Sequence, residues 1–491
     1  RDFTLNSVQE ALAELFACVP VYRSYVAPED VTLNEVDRAH VEAAVRAAKR
    51  RNPAVSESLF DFLRQLLLCE DPEGLDERQR AERRDFVLRL QQLTSPVTAK
   101  GIEDTAFYRY FPLASLNEVG GEPDRFGTSV EEFHRFNLER QRLWPHGLSA
   151  TTTHDTKRSE DTRARIAVLS EIPEAWAQAV ARWRTLNQRH KTDVGGTELP
   201  DANEEYLLYQ TLVGTWPLAP PDLAGHERYV GRIQEYMNKA LKEAKVHTSW
   251  VNPNEAHDRA IERFVQAALD PVGGQPFAAE VTALVRRIAP AGLCNALSQV
   301  VLKIASPGVP DFYQGTELWD FSLVDPDNRR PVDYELRRRL LGELRAVAEA
   351  ELPALAERLL RHPEDGRVKL LVTLRGLGLR RARRELFERG EYRPLEAQGG
   401  HAEQVVAFGR RLGEEEVVAL AARGFVGLGM PERLPLGPAV WRDTAVALGE
   451  GGRRARYRDV LTGRVVVTRD SGALVMGEVF AHLPVALLER G

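Results

Sequence analysis

The chain has 491 residues, of which 43% are hydrophobic and 28% charged, and its formal net charge is −6. It is longer than one typical domain and has enough apolar residues for a large core. No basic stripe with interleaved aromatic residues and no apolar run of ~18–20 residues is present, so we expect neither a nucleic-acid partner nor a membrane partner.

The three cysteines, Cys18, Cys69 and Cys294, lie far apart in apolar, helix-like sequence. An odd number without a C-x-x-C pair predicts free buried thiols, which fit a reducing compartment. We recognise no signal peptide and therefore expect a cytoplasmic location. The chain starts with Arg1, and RDFTLNSVQEAL is typical of the middle of a helix, so we expect further sequence upstream.

The predicted elements alternate between two textures along the first 290 residues. Short β-like stretches occur at 16–26 (FACVPVYRSYV), 101–111 (GIEDTAFYRYF) and 147–155 (GLSATTTHD). Between and after them, apolar residues recur at helical spacing over 31–94 and 160–290. These tracts are too long for simple β–α connections, so we interpret them as helical subdomains inserted into a β/α scaffold.

The pattern changes twice more towards the carboxyl end. At 300–315 (VVLKIASPGVPDFYQG) the apolar VVLKIA is predicted to be a strand, which ends at the glycine and prolines that follow. After about residue 390, short alternating stretches at hairpin spacing are separated by Gly-rich turns. This pattern predicts a small antiparallel sandwich or barrel.

The segment TTTHDTKRSED (151–161) places a His-Asp pair where a predicted strand ends. The carboxyl ends of strands carry the catalytic groups in β/α barrels. A carboxylate beside an imidazole can accept hydrogen bonds from sugar hydroxyls and stabilise an oxocarbenium-like charge. Asp155 is therefore a candidate catalytic residue, and we expect Lys157 and Arg158 to keep it ionised.

The alternative interpretation of the same segment is structural. Glu160 and Asp161 then cap the following helix, where negative charge suits the helix dipole, and the other charges form a surface ion network.

Two more clusters combine aromatic rings with charges. In GIEDTAFYRY, acids and arginine flank tyrosines; this suits carbohydrate, but an edge strand with buried tyrosines explains it equally well. The turn-rich 306–333, SPGVPDFYQGTELWDFSLVDPDNRRPVD, holds many rings and charges that are costly to bury. We interpret it as a functional loop.

These segments together give the chain a specific resemblance. TTTHDTKRSED, AKGIEDTAFYRY, SLNEVGGEPDRFG and PGVPDFYQGTELWDFSLVDPDNRRPVDY resemble the maltooligosyl trehalose synthase family of the α-amylase superfamily (glycoside hydrolase family 13). The resemblance covers nearly the whole chain in the same order. It implies an α/β fold: a partial (β/α)8 TIM barrel with large helical insertions and a C-terminal antiparallel β-sandwich domain.

The resemblance also implies a division of the chain. The expected parts are barrel segments at 1–30 and 95–159, helical insertions at 31–94 and 160–290, the final barrel strand and helices at 291–389, and the β domain at 390–491.

The implied activity is intramolecular transglucosylation, an isomerase reaction of trehalose biosynthesis. The reducing-end α-1,4 linkage of a maltooligosaccharide becomes α,α-1,1 by a retaining mechanism, with no cofactor and no obligatory metal. Asp155 would be the third catalytic carboxylate. The implied substrate-binding residues are His154, Lys100, Glu103, Asp104, Tyr108, Arg109, Lys157, Arg158, Glu160, Tyr313, Gln314, Glu317, Asp325, Arg329 and Arg330.

The sequence departs from the family at one important point. No GLRIDH-like string, which would carry the nucleophile Asp, and no segment for the general acid Glu is found. We therefore expect the N-terminal barrel half to be a missing partner of this chain. Two alternatives stay open: an α-glucan hydrolase or debranching enzyme, and a non-catalytic glucan-binding fragment or one half of a split assembly.

Overall fold

A computed structural model of the chain describes residues 3–27, 33–449 and 452–491. They form two compact units. The first comprises the chain up to Tyr110 together with Glu243–Lys245, and the second comprises Phe111–Lys242 and Val246–Gly491. Helices and sheets both occur, so the chain is an α/β protein as predicted. The predicted boundary at residue 30 and the first two residues lie outside the described ranges.

The first unit is built from helices that pack around one apolar core. Polar N-caps set where they begin: Asn34 and Asp76 each accept a backbone N–H from the first turn of the helix that follows. Phe60 and Leu63 are fully buried in the core. In the described part of this unit the helices are α1 Leu5–Ala17, α2 Glu35–Arg51, α3 Glu57–Leu67 and α4 Glu77–Thr98, and the last three confirm the helical spacing over 31–94.

Two stretches of this unit that were predicted as strands are not strands. FACVPVYRSYV begins in the last turn of α1 and continues without regular structure. GIEDTAFYRYF forms a π-helical turn, Ala99–Glu103, and a 3₁₀ turn, Ala106–Tyr108. Local bonds such as Asp104 N–H to the Ala99 carbonyl (3.1 Å) satisfy its backbone, so no partner strand is needed.

One long helix, α11 (Gln275–Ala305), forms the centre of the second unit. It contacts helices α6 (Glu160–Ala167) and α14 (Arg367–Ala382) and strand β8 (Glu415–Ala422). By length and composition it is the one helix in the described ranges that could cross a membrane, but 78% of its most apolar window is buried inside the protein. It runs through the domain boundary expected at residue 290.

The predicted VVLKIA strand is wrong because these residues are the last turns of α11. A continuous apolar run does not distinguish a buried strand from a buried helix. The strand that follows the helix is shorter and later: β4, Val309–Pro310, pairs in parallel with β1, Leu148–Ser149. The β-like stretch at 147–155 is thus a strand only at its start.

The approach of these two strands depends on a glycine. Gly308 has a φ of +104°, and a side-chain Cβ at this position would lie 2.5 Å from the Gly147 carbonyl oxygen. Substitution of Gly308 would therefore push β1 and β4 apart.

The rest of the second unit up to residue 390 is mainly helical, with one short hairpin. Its other elements are α5 Val130–Leu143, α7 Pro173–Asn187, β2 Thr192–Val194, β3 Thr197–Leu199, α8 Ala202–Thr215, α9 Leu223–Ala244, α10 Glu255–Ala268, α12 Tyr334–Arg345, α13 Leu352–Arg361 and α15 Arg384–Arg389.

After residue 390 the described residues form two antiparallel sheets, which confirms the hairpin spacing of this region. One sheet has six strands in the order β11-β10-β13-β8-β7-β5, and the other has three in the order β12-β9-β6. The elements not yet given are β5 Glu391–Leu395, β6 Ala397–Gln398, β7 Val405–Leu412, α16 Pro438–Trp441, β9 Ala445–Ala447, β10 Arg456–Asp459, β11 Val465–Val467, β12 Ala473–Val475, α17 Met476–Val479 and β13 Val485–Arg490.

Candidate active site

Two loops leave the carboxyl ends of the parallel strands β1 and β4. The backbone continues the pairing by one residue beyond the strands, since the Asp311 N–H donates to the Ser149 carbonyl at 2.9 Å. The loop after β1 covers 150–159 and contains the His-Asp pair, and the loop after β4 covers 311–333. Both therefore start at the same edge of the two-stranded sheet.

His154 and Asp155 lie at the tip of a tight turn. The Thr153 hydroxyl accepts from the Asp155 N–H at 3.2 Å, and the Thr156 hydroxyl donates to the Thr153 carbonyl at 3.0 Å. Such hydroxyl bonds compete with a strand ladder, which explains why the predicted strand ends early. Both tip residues are exposed, and within the described ranges the Asp155 carboxylate accepts no hydrogen bond and forms no ion pair.

The loop after β4 contacts this turn directly. The Asn328 amide donates to the His154 carbonyl at 3.1 Å and to the Thr153 carbonyl at 3.3 Å, and Arg329 reaches the His154 carbonyl at 3.4 Å. The Tyr313 hydroxyl in turn donates to the Asn328 carbonyl at 3.2 Å. The structure thus brings Asp155 and the aromatic, arginine-rich loop together, as the carbohydrate-site hypothesis requires.

The other predicted residues of this loop are placed as follows. Gln314 is exposed, whereas the charged ones form ion pairs within the second unit. These pairs are Glu317 with Arg337 (2.9 Å), Asp325 with Lys239 (2.6 Å) and with Arg329 (3.9 Å), and Arg330 with Asp327 (3.1 Å).

Lys157 and Arg158 are buried below the turn rather than exposed beside Asp155. Both backbone amides donate to the Glu118 carboxylate, at 2.7 and 3.1 Å. The Arg158 guanidinium donates to the Tyr236 hydroxyl at 2.7 Å. The expectation that Arg158 ionises Asp155 is therefore wrong, because its charge is directed into the protein.

Glu160 and Asp161 lie in the first turn of α6, where the structural alternative placed them, but both are buried. The N-cap of α6 is Ser159, whose hydroxyl accepts from the Thr162 N–H. Lys369 instead lies 2.7 Å from Glu160 Oε1 and 2.8 Å from Asp161 Oδ2. The substrate contact implied for Glu160 does not fit this burial, and the surface ion network of the alternative interpretation is wrong for the same reason.

A second lysine links this cluster to the strand end. Lys303 of α11 lies 3.5 Å from Glu160 Oε2 and donates to the Thr151 hydroxyl at 2.7 Å. The Thr152 hydroxyl accepts from the Glu160 N–H at 2.9 Å. We name Glu160, Asp161, Lys303 and Lys369 the buried ion cluster. It fixes the start of the 150–159 loop from below.

The electrostatics of the buried ion cluster follow from burial and proximity. Burial opposes the ionisation of both acids. At Glu160 the two lysines outweigh burial and lower its pKa, whereas at Asp161 burial prevails and raises its pKa. Burial opposes the charge of Lys369 as well, but the two carboxylates outweigh it and raise its pKa. The lysine is therefore charged and depends on both acids.

A cleft of about 770 Å³ has Glu118 and Arg163 in its wall. The SLNEVGGEPDRFG segment lines it together with α5 and Arg163. The Arg163 guanidinium donates to the Thr151 carbonyl and lies 3.6 Å from the Glu118 carboxylate. The residues that support the His-Asp turn thus also form part of the cleft wall.

The predicted residues of GIEDTAFYRY lie in the first unit. Lys100 forms an ion pair with Asp104 at 2.5 Å, and the buried Glu103 accepts a hydrogen bond from Tyr22. The Arg109 guanidinium donates to the Ala244 carbonyl. Tyr108 is buried, as the structural alternative for this segment proposed, but in a helical turn and not in an edge strand.

Sequence reasoning missed several residues on which the site depends. Glu118 was inside a quoted motif but was assigned no role, and Lys303 was visible as one charge in the apolar VVLKIA. Nothing in the sequence around Lys369 signals its partners, since they lie more than 200 positions away. In the described part of the chain, one group of three side chains could ligate a metal, and it is not at this site but at Asp201, Glu204 and His247.

The known proteins that resemble this chain in sequence and in structure carry the same name. No family model matches the chain. A candidate maltooligosyl trehalose synthase of Mycobacterium tuberculosis is 41% identical over 403 residues, which are 82% of this chain and 45% of that protein.

Two solved structures of proteins with this name are similar to the chain. The maltooligosyltrehalose synthase of Arthrobacter ramosus is 36% identical with a TM-score of 0.75, covering 99% of this chain and 54% of its own. A hypothetical maltooligosyl trehalose synthase of Sulfolobus tokodaii is 29% identical with a TM-score of 0.68, covering 98% and 53%. The chain spans about half the length of the relatives it matches.

Proposed function

We propose that this chain, a homologue of the maltooligosyl trehalose synthases that spans about half of their length, supplies one part of the site for intramolecular transglucosylation of maltooligosaccharides. The product is a maltooligosyl trehalose with a terminal α,α-1,1 linkage. The observation that carries the proposal is the exposed Asp155 in the loop after β1, which contacts the loop after β4 through its turn.

The reaction needs three groups. An enzyme carboxylate attacks C1 of the second glucose from the reducing end, while a general acid donates a proton to the O4 atom that leaves. The freed glucose stays bound, turns, and attacks the same C1 through its anomeric hydroxyl; the carboxylate leaves and the proton returns to the acid. Asp155 would bind hydroxyls of the cleaved sugar and stabilise its oxocarbenium-like transition state.

The nucleophile and the general acid must lie ~5–5.5 Å apart across the scissile bond, which Asp155 alone does not satisfy. We assign both to the half of the relatives' length that this chain does not match. That half, in the same polypeptide or as a separate partner, would complete a (β/α)8 barrel of the family 13 type in which β1 and β4 are the last two strands. The sheets after residue 390 would then be the C-terminal sandwich.

Three further predicted residues have proposed roles in binding the sugars. His154 would bind the same sugar as Asp155, and Lys100 and Arg109 would hold the freed glucose while it turns, which raises its effective concentration. The site must exclude water during this step, because hydrolysis is the competing reaction. The free cysteines support a cytoplasmic location, and the proposal includes no nucleic-acid or membrane partner.

Product analysis on maltopentaose tests the proposal. The chain is assayed alone and joined to the part of the Arthrobacter ramosus relative that it does not match. Loss of reducing ends without release of glucose is the expected result for the joined protein. Maltose and maltotriose as products would instead indicate an α-glucan hydrolase.

The second candidate is a non-catalytic glucan-binding fragment. It is favoured by the absence of a GLRIDH-like string and by the share of the relatives' length that the chain covers. Binding of maltopentaose with no turnover by either protein would support it.

A further inference from the structure

Two acids and two histidines meet at the amino end of α8, on elements that the proposed function does not use. Asp201 and Glu204 form the capping box of this helix. Asp201 Oδ1 accepts from the Glu204 N–H at 2.8 Å, and Glu204 Oε2 accepts from the Asp201 N–H at 2.9 Å. Each carboxylate therefore has one oxygen fixed by the helix backbone, and its orientation is set without any ligand.

The second oxygen of each carboxylate faces an imidazole. His247 Nε2 lies 3.0 Å from Asp201 Oδ2, and His257 Nε2 lies 2.8 Å from Glu204 Oε1. The two imidazole centroids are 5.3 Å apart. The donor atoms of Asp201, Glu204 and His247 all lie within 4.8 Å of one another. Three donors thus converge, and His257 adjoins them through its contact with Glu204.

The surroundings leave one side of the cluster open. The side chains of Asp201 and His247 are 33% and 31% exposed, whereas those of Glu204 and His257 are buried. An ion could enter from the exposed side, while the buried pair would hold it from the interior.

We propose that this cluster binds one divalent transition-metal ion of the zinc class, with Asp201, Glu204 and His247 as ligands and His257 as the fourth. Zn–N and Zn–O bonds are ~2.0–2.2 Å, so tetrahedral ligands lie about 3.4 Å apart. The Asp201–His247 and Glu204–His257 pairs, now 3.0 and 2.8 Å apart, would each widen by about half an ångström to take the ion. Imidazole donors favour zinc over magnesium or calcium, which prefer oxygen alone.

The environment of His257 fits the role of a ligand. Its second nitrogen, Nδ1, lies 3.4 Å from the Asp258 carboxylate. Metal-binding histidines commonly donate their other N–H to a carboxylate, which fixes the tautomer that leaves Nε2 free for the metal. Metal binding would connect the start of α8 to α10, which carries His257, and to the segment before it, which carries His247.

Zinc titration of the reduced 491-residue chain by calorimetry tests the proposal, with the same protein in cobalt(II) for absorption spectra. We expect one ion per chain and a cobalt spectrum of nitrogen and oxygen ligands without thiolate charge-transfer bands. His247→Ala should raise Kd at least about tenfold, since loss of even a supporting contact costs that much. His362→Ala is the matched control, because His362 is an exposed histidine of the same unit outside the cluster.

Three results would overturn the proposal: no stoichiometric binding, equal affinity in the two alanine variants, or thiolate bands in the cobalt spectrum. Asp201→Asn serves as a second variant if His247→Ala changes the circular dichroism spectrum. It keeps the cap acceptor but weakens the ligand, so unchanged zinc affinity in Asp201→Asn would also count against the site.

Discussion

Replacement of Lys369 by methionine removes one charge from the buried ion cluster and leaves most of the packing. The lysine side chain is fully buried, and its ammonium group lies 2.7 Å from Glu160 and 2.8 Å from Asp161. Methionine has a similar length and is tolerated in apolar surroundings. The substitution therefore tests the charge rather than the volume of this side chain.

The expected loss in the free energy of unfolding follows from the charges that stay in the buried ion cluster. Without Lys369, two adjacent carboxylates are buried with Lys303 alone, which lies 3.5 Å from Glu160. Removal of one partner from a buried ion pair typically costs 3–5 kcal/mol, because the other charge is left uncompensated. We expect Lys369→Met to lower the free energy of unfolding by about 3–5 kcal/mol at pH 7.

The loss should be smaller at low pH. Burial already raises the pKa of Asp161, and removal of Lys369 raises it further, since the lysine lowers it. The folded variant then binds a proton that the unfolded chain has released above about pH 4. Its stability is accordingly highest below that pH and falls as the pH rises through the folded-state pKa.

Urea unfolding followed by tryptophan fluorescence is the suitable assay, because all seven tryptophans lie in the second unit. Arg339→Met is the control: it breaks an exposed ion pair with Glu343 and should change stability by less than about 1 kcal/mol. A loss of under 1 kcal/mol in Lys369→Met, or a loss that does not shrink towards pH 5, would refute the reasoning.

Three further substitutions test other parts of the protein. Asp155→Asn in the complete, active protein should lower turnover by orders of magnitude with an unchanged fold, and near-normal rates would exclude its catalytic role. Lys100→Ala should raise the ratio of hydrolysis to transfer; an unchanged product ratio would remove Lys100 from the glucose-holding group. Burial raises the pKa of the Asp459 carboxyl to about 6. The folded protein therefore favours the protonated form of Asp459, and the stability that this proton contributes is lost as the pH rises from 4 to 6. Asp459→Asn should flatten that fall, which amounts to about 3 kcal/mol in urea unfolding; an unaltered pH dependence would contradict the assignment.

The sequence predicted the parts of the fold that depend on local pattern. Helical spacing placed α2–α4, and alternation placed the antiparallel strands after residue 390. Local pattern was insufficient for VVLKIA, because an apolar run fits a buried helix and a buried strand equally. It also failed at Thr151–Thr153: the Thr151 hydroxyl accepts from Lys303 and the Thr153 hydroxyl accepts from the Asp155 N–H of the turn, so the strand ends before them.

For the site, the sequence predicted the position of the His154–Asp155 turn but not the buried ion cluster that supports it. The position of Asp155 after a strand was predicted from the sequence, and the parallel pairing of β1 and β4 explains its proximity to the 311–333 loop. The burial of Glu160 and Arg158 was not predicted, because charge density in a sequence does not tell whether a group faces solvent or a buried partner. Lys369 supplies that partner from more than 200 residues away.

A crystal structure with bound maltopentaose tests the central claim most directly. We predict a glucose unit whose hydroxyl lies within hydrogen-bonding distance, about 3 Å, of the Asp155 carboxylate. Sugar bound only at other positions, with Asp155 left in solvent, would contradict the assignment of this loop to the glucan site.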